Sequence, residues 1–249
     1  MNDDARILAL AVLALVIGTV LGWLLRTSLH TRRLHRRQDF FGLPVNAESL
    51  LVVPREAGSP ELTVTRYDTL ALLELSALVQ GCGAHPQLVA HDAVQQGFGE
   101  RTEFCVGTPA GHRRMAAHMQ SLLPGVTVTT APQAGADRDS FQIGGERYRM
   151  EAGKTEYVLL ARLTARQGNT GRPVFLICGQ RPITHQAAGR YLARHHERLA
   201  RKHRNGSFVL LLKVVNSAAY GPDVVELVAD VTKAAQSSPP VPVKSHRAS

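Results

Sequence analysis

The sequence lacks most of the residue patterns that identify a reaction or a bound metal. Its three cysteines, Cys82, Cys105 and Cys178, are widely spaced and form no CxxC pair, which excludes a disulfide framework and a zinc knuckle. The eleven histidines form no HExxH motif, and there is no Gly-x-Ser-x-Gly nucleophile elbow. Neither GxGxxG nor Walker A is present. The sequence therefore predicts no metal site and identifies no catalytic residue or cofactor.

Positive charge is abundant but is confined to two stretches. The formal net charge is +9; residues 26–37 and residues 190–204 carry +5 each, so the rest of the chain sums to about −1. No interleaved aromatic residues or known reader motif accompanies either stretch, so a nucleic-acid partner is not expected. The basic helix that contains residues 190–204 is interpreted either as a solvated face or as a surface resting on anionic lipid.

The amino-terminal region is typical of a membrane anchor. Residues 7–25, ILALAVLALVIGTVLGWLL, carry no charge, and as a helix they would extend about 28 Å, close to the thickness of a bilayer's hydrocarbon core. A cleaved signal peptide is the alternative, but the leader, residues 1–6, begins Met-Asn-Asp-Asp, the apolar run is long, and arginines follow it directly. Those arginines predict a single-pass protein of the cell membrane with its carboxyl-terminal domain in the cytoplasm.

The remaining chain divides into three parts. Residues 26–47 are interpreted as a basic juxtamembrane linker, residues 48–235 as one α/β domain, and residues 236–249, rich in Ser and Pro, as a disordered tail. Within the anchor, Gly18 and Gly22 form a GxxxG motif that would allow a homodimer contact in the bilayer. Glycine is also common in membrane helices without dimerisation, so both interpretations stay open.

Apolar runs alternate with helical patterns through the domain. Strands are expected around residues 50–53, 87–90, 103–106, 157–163 and 174–178, and helices over residues 67–80, 110–123 and 183–204. Shorter strands at 127–130, 141–143 and 148–150 and a closing pair at 208–215 and 224–231 complete the pattern, with FVLLLKVV apolar enough to be central. These units predict a Rossmann-like, three-layer mixed sheet with helices on both faces, preceded by one transmembrane helix.

The stretch TEFCVGTPAGHRRMAAH, residues 102–118, carries the first candidate binding loop. An apolar strand ends at Gly107, Thr108 could cap the next helix, and Pro109 suits its first position. Gly111 would let a ligand approach the backbone, and Arg113 lies where a phosphate at the helix amino terminus would be bound. The alternative is that Gly-Thr-Pro is only a good connector between a strand and a helix.

A second strand, turn and helix follows the same pattern over residues 172–192, with Gly179 at the strand end. If the two strands are neighbours, their glycines would frame one crevice, because ligands of such sheets lie beyond the carboxyl ends of parallel strands. Asp68, expected to cap the first helix of the domain, would complete the crevice by binding a ribose hydroxyl. The predicted ligand-binding residues are Gly107, Thr108, Gly111, Arg113, Gly179, Gln180, Arg181, Thr184 and Asp68.

In the order of its elements, the chain resembles the Rossmann-like domains of membrane-anchored bacterial proteins whose activity is unassigned. The resemblance implies a binding domain and transfers no catalytic residue. The leading hypothesis is a membrane-tethered, cytoplasm-facing sensor or scaffold that binds a small phosphorylated or nucleotide-type ligand. The alternatives are a membrane-bound hydrolase or transferase that uses Glu103 or Glu156 as an acid or base in the same crevice, and a ligand-free adaptor.

Overall fold

The computed structural model covers the predicted domain and most of the amino-terminal segment. It describes residues 3–54, 64–93, 99–130, 135, 137–164, 171–204 and 206–238; in the first helix, the side chains of residues 4–11 and 14 are outside the description. Most of the predicted tail, residues 236–249, also lies outside the described residues.

The described residues form helices and strands close to the predicted ones. The helices are α1 (Asp3–Phe41), α2 (Arg66–Gln80), α3 (Arg113–Leu122), α4 (Pro182–His203), α5 (Ser217–Tyr220) and α6 (Thr232–Gln236). The strands are β1 (Glu48–Val53), β2 (His85–Ala90), β3 (Thr102–Gly107), β4 (Val126–Val128), β5 (Phe141–Ile143), β6 (Glu146–Tyr148), β7 (Thr155–Leu163), β8 (Val174–Gly179), β9 (Phe208–Val215) and β10 (Val225–Asp230).

The main sheet has seven strands in the order β10-β9-β7-β8-β3-β1-β2. From β2 to β8 the neighbours are parallel, whereas β7 is antiparallel to both β8 and β9, and β10 is antiparallel to β9. The sheet is therefore mixed, as predicted. β9, the FVLLLKVV segment, pairs on both edges and buries most of its side chains, which confirms its central position.

Two hydrophobic cores cover the two faces of this sheet. One core joins the end of α1, α2 and α4 to the alternate side chains of the strands that point toward them. The other joins α3, α6 and a small sheet of β4, β5 and β6 to the opposite face. Because side chains alternate across a strand, β3 and β8 contribute to both cores. The prediction of a mixed α/β fold with helices on both faces is confirmed.

The segment after the apolar run differs from the predicted linker. Residues 26–41 belong to α1, which continues as one helix into the domain, and its last turn is part of the core. Phe40 and Phe41 are 1% and 0% exposed and contact the rings of Phe104, Phe175 and Phe208. The sequence QDFF resembles a polar linker because only two of its four side chains are apolar. Those two side chains, Phe40 and Phe41, are both buried. The basic stretch is thus a rigid helical stem.

Over the residues that the structure describes, no helix has both the length and the apolar character of a membrane span. Large apolar side chains are nevertheless exposed along α1, from Val12 to Leu29.

Two predicted helix starts are corrected by the capping contacts. Thr65, and not Asp68, caps α2, because its side chain accepts a hydrogen bond from the Asp68 amide. Thr108 makes no side-chain cap; a short 3₁₀ turn occupies Pro109–Gly111, and His112 caps α3 instead. Asp68 and Thr108 were plausible caps by residue type, but in both cases a neighbouring residue of the same capacity lies closer to the free amides.

We expect Phe41→Ala to destabilise the whole domain if the last turn of α1 is core. Truncating a buried phenylalanine costs about 3–5 kcal/mol in free energy of unfolding. Urea unfolding of the full chain in detergent micelles measures this, with Leu73→Ala as the matched control, because Leu73 on α2 is 61% exposed. Equal stability of the two variants would contradict the packing of α1 and support a detached linker.

Candidate functional site

The two glycine-ended strands lie side by side, which meets the condition that the hypothesis of one crevice required. β3 and β8 are parallel neighbours, and Gly107 is paired with Cys178, the residue before Gly179. Their carboxyl ends therefore meet at one edge of the sheet, with β1 on the other side of β3. The chain leaves β1 and β3 toward opposite faces, through α2 and α3, so this edge contains the switch point where such sheets bind ligands.

His112 fills the space beside Gly107. The Gly107 backbone has φ +145°, and a side chain there would meet Pro54 and His112 at 3.3–3.5 Å. The Nε2–H of His112 donates to the carbonyl of Val52 at 3.2 Å, and its Nδ1 accepts from the Met115 amide at 3.0 Å. Burial lowers the pKa of His112 to about 4, so the ring is neutral at pH 7. The space beside Gly107 is therefore occupied by Pro54 and by the His112 ring of the protein itself.

Gly179 is covered in the same way from the opposite face. A side chain added there would lie 2.1 Å from Oγ1 of Thr184 and 2.6 Å from the ring of His185. Nδ1 of His185 is 2.5 Å from one carboxylate oxygen of Asp68, and the Thr65 hydroxyl donates to the other at 2.7 Å. Asp68 and Thr184, predicted to bind ligand, are therefore engaged by neighbouring residues.

Nε2 of His185 is the exception in this cluster. It is buried, and among the described residues it has no hydrogen-bond partner. The contact of Nδ1 with the Asp68 carboxylate orients the ring, so Nε2 is the ring nitrogen that remains for another partner. Leaving such a group unpaired in the interior costs free energy, so the position favours a bound water or a ligand hydroxyl.

Gln180 and Arg181 also have protein partners. The Gln180 carbonyl oxygen accepts from the Tyr157 amide at 2.8 Å, and its amide donates to two backbone carbonyls. Arg181 donates to the buried carboxylate of Glu156 at 2.6 Å. Both residues thereby tie the start of α4 to β7.

The exposed part of the predicted loop lies on the α3 side of the sheet. Gly111 and Arg113 are exposed there, and Thr108 is half-buried. The Arg113 amide donates to Nδ1 of His91 at 3.2 Å, so it is not available to an anion. The structure therefore separates Arg113 from the Asp68 and Thr184 side of the sheet, whereas the sequence expected one crevice.

Beneath α3, Glu103 belongs to a buried polar network. Both of its carboxylate oxygens accept from Arg114, at 2.5 and 2.7 Å, and Nε2 of His118 lies 3.2 Å away. Burial acts to raise the Glu103 pKa, but the hydrogen bonds from His118 and Arg114 outweigh it and hold the pKa below its ordinary value. Glu103 is therefore an ionised partner of Arg114.

The same network brings three potential metal ligands together. Ligand atoms of Glu103, Cys105 and His118 lie within 4.8 Å of one another. Burial raises the pKa of the Cys105 thiol well above its ordinary value, so the sulfur is protonated. Arg114 already supplies the positive charge that the carboxylate needs, and a cation placed there would be repelled by it. The network is thus better described as a buried ion pair than as a metal centre.

A strongly basic cavity lies between α1 and α4, away from the strand ends. We call it the arginine cleft; it has a volume of about 530 Å³. Its lining includes two carboxylates, Asp39 and Glu197, and Phe40 lies at its base. Five arginines line the cleft. Arg33, Arg36 and Arg37 come from α1, Arg201 comes from α4, and Arg204 directly follows α4.

Four of these five arginines have no protein partner. Arg37 donates to the carbonyl of Leu78 at 3.1 Å. The other four, Arg33, Arg36, Arg201 and Arg204, make no side-chain hydrogen bond or ion pair with any residue the structure describes. The five guanidinium groups outnumber the two carboxylates of the cleft, and an anion bound between them would offset the excess positive charge.

Other basic residues of α4 have acidic partners, in contrast to the cleft arginines. Arg190 pairs with Glu74 and Asp223 at 2.7 and 2.6 Å, and Lys202 pairs with Asp230 at 2.7 Å. These residues support the solvated, structural interpretation of that face. Arg201 and Arg204 lie at the carboxyl-terminal end of α4, where they line the arginine cleft. Sequence reasoning found both basic stretches but did not join them, because it ended α1 before its arginines could face α4.

Acid should destabilise the domain through His112. Its folded-state pKa of about 4 lies below the ordinary 6.5, so the unfolded chain binds the proton first as the pH falls. Stability present above pH 6.5 is lost between pH 6.5 and 4, and lowering the pH from 7 to 5 should cost about 2 kcal/mol. Urea unfolding at both pH values measures the loss.

The matched variant is His112→Asn, which keeps a side-chain cap for α3 but does not titrate. Between pH 7 and pH 5, the free energy of unfolding of this variant should fall by about 2 kcal/mol less than that of the wild type. His195 and His203, whose pKa values are also lowered by burial, are present in both proteins and cancel. Identical acid sensitivity of the two proteins would show that His112 is not held neutral.

Comparisons with known proteins add no assignment to this geometry. No family model, no curated protein and no solved structure matches the chain. Inferences about function therefore come from the contacts and charges of the chain itself.

Proposed function

We propose that the protein is a membrane-tethered domain that binds a small phosphorylated ligand in the arginine cleft and acts as a sensor or scaffold. The observation that carries the proposal is the group of four arginines around one cavity that have no side-chain partner among the described residues. Arginine binds phosphate oxygens through two parallel N–H donors, and it keeps its charge at any physiological pH.

The size and shape of the cleft suit such a ligand. A volume of about 530 Å³ is within the range of small-molecule sites, which is roughly 300–1,000 Å³. The walls come from two helices whose positions are fixed by the core, since Phe40 below and Leu199 on α4 are both buried. The backbone positions that carry the arginines are therefore fixed before a ligand arrives, and fixed positions lower the entropic cost of binding.

The strand ends support this binding function less well than the cleft does. Asp68, Thr184, Gln180 and Arg181 all use their polar groups on protein partners. Among the described residues, Arg37 is the one cleft arginine whose side chain has a hydrogen-bond partner. We therefore place the phosphorylated ligand between α1 and α4.

Membrane tethering is the second part of the proposal. Residues 7–25 carry no charge, and eleven large apolar side chains are exposed on α1 between Val12 and Leu29. A continuous apolar surface of this kind needs a cover of lipid or protein, and the arginines that follow favour an anchor with the domain on the cytoplasmic side. Gly18 and Gly22 leave open space on α1, which is compatible with a second copy in the bilayer.

The test is calorimetric titration of ATP and of inorganic pyrophosphate into the full chain, held in nanodiscs of neutral phosphatidylcholine. We expect binding by the wild type and a loss of at least about 100-fold in affinity for Arg36→Ala/Arg201→Ala, because each charged hydrogen-bonding partner contributes about 1.5–3 kcal/mol.

The control is Arg32→Ala/Arg194→Ala, which removes the same charge from the same two helices outside the cleft. Its affinity should stay within a few-fold of the wild-type value. Equal weakening by both double variants would indicate a diffuse charge effect and contradict the site. Absence of binding to either compound would favour the ligand-free adaptor.

A second candidate function rests on His185. Glu103 and Glu156, the acid or base residues expected from the sequence, are each paired with an arginine. His185 instead has one nitrogen oriented by Asp68 and the other unpartnered among the described residues, an arrangement that suits a general base in a hydrolase or transferase. This second function would be favoured if the wild type releases phosphate from ATP and His185→Gln does not, while the affinity of the cleft for ATP is unchanged.

A further inference from the structure

The way α1 enters the domain determines how far the arginine cleft lies from a bilayer. α1 is one helix to Phe41, and its last turn is fixed in the core. A helix rises about 1.5 Å per residue, so Arg33 is about 12 Å and Phe40 about 22 Å beyond Leu25, the last residue of the apolar run. The cleft extends across this interval.

The headgroup layer is thinner than that distance. A bilayer is about 40–45 Å thick including headgroups and about 30 Å without them, which leaves about 5–7 Å of polar layer on each side. Tilting the helix by as much as 40° still leaves Arg33 about 9 Å from the hydrocarbon edge. Arg26 is at headgroup depth, whereas the cleft opens beyond it.

The charge of the cleft specifies the kind of ligand. Five arginines oppose the carboxylates of Asp39 and Glu197, which leaves an excess of three positive charges. A single phosphate monoester carries at most two negative charges near neutral pH, whereas a pyrophosphate or a nucleoside di- or triphosphate carries about three or four. A phosphodiester lipid headgroup offers one at the phosphate.

On the proposed function that the cleft binds a phosphorylated ligand, we infer that this ligand is a water-soluble polyphosphate and not the headgroup of a bilayer lipid. The tether then brings the cleft close to the membrane while keeping it clear of the lipid phosphates. Arg26 and the bilayer, in contrast, form a separate contact that does not compete for the ligand.

The experiment compares the full chain in two kinds of nanodisc, neutral phosphatidylcholine alone and the same lipid with phosphatidylglycerol, and titrates ATP and pyrophosphate into each. Anionic lipid repels an anion near its surface, but at about 12 Å this potential is reduced by screening over a length of about 8 Å. We expect the dissociation constants to differ by no more than about threefold between the discs.

A tenfold or greater weakening in the anionic discs would overturn the inference, as would displacement of ATP by soluble dihexanoyl phosphatidylglycerol. In either case binding in the neutral discs would leave the proposed function intact. No binding in the neutral discs would overturn both. Arg26→Ala is the matched variant: it should leave the affinity for ATP unchanged, whereas Arg33→Ala should reduce it at least about tenfold.

Discussion

The contacts of Phe40 and Phe41 with the central strands determine how the rest of the structure is arranged. They join the last turn of α1 to the rings of Phe104, Phe175 and Phe208, and buried Arg162 donates to the Phe40 carbonyl at 2.9 Å. Burial lowers the pKa of Arg162 to about 10, but this value is still high enough for the guanidinium to be charged at neutral pH. Because the stem is anchored in this way, its arginines face those of α4 and form the cleft.

The sheet edge that usually binds ligands in this architecture is instead filled by the protein. His112 closes the α3 side beside Gly107, and His185 covers Gly179 from the α4 side. Gly179 has no room for a side chain because Thr184 and His185 lie over it, whereas Gly107 is favoured by its positive φ of +145°. This closure is the physical reason that we place the proposed binding site in the open, charged cavity between the helices. At the sheet edge, Nε2 of His185 and Oε2 of Glu156 are buried without a hydrogen-bond partner among the described residues.

Sequence reasoning predicted the features that depend on local patterns. The strands and the long helices follow from apolar periodicity, whereas the adjacency of β3 and β8 was the condition on which the hypothesis of one crevice rested. It could not predict which side chains would pair with one another: Asp68 and His185 are far apart in the chain and meet only through the packing of α2 on α4. The helical stem was missed because Gln38 and Asp39 made a buried turn resemble a linker.

The central claim is that Arg33, Arg36, Arg201 and Arg204 surround one anion. Its most direct test is arginine modification by phenylglyoxal, quantified by mass spectrometry on the full chain in neutral nanodiscs with and without pyrophosphate. The account predicts that pyrophosphate protects these four residues and leaves Arg32 and Arg194 as reactive as before. Equal protection of all six arginines, or of none, would contradict it.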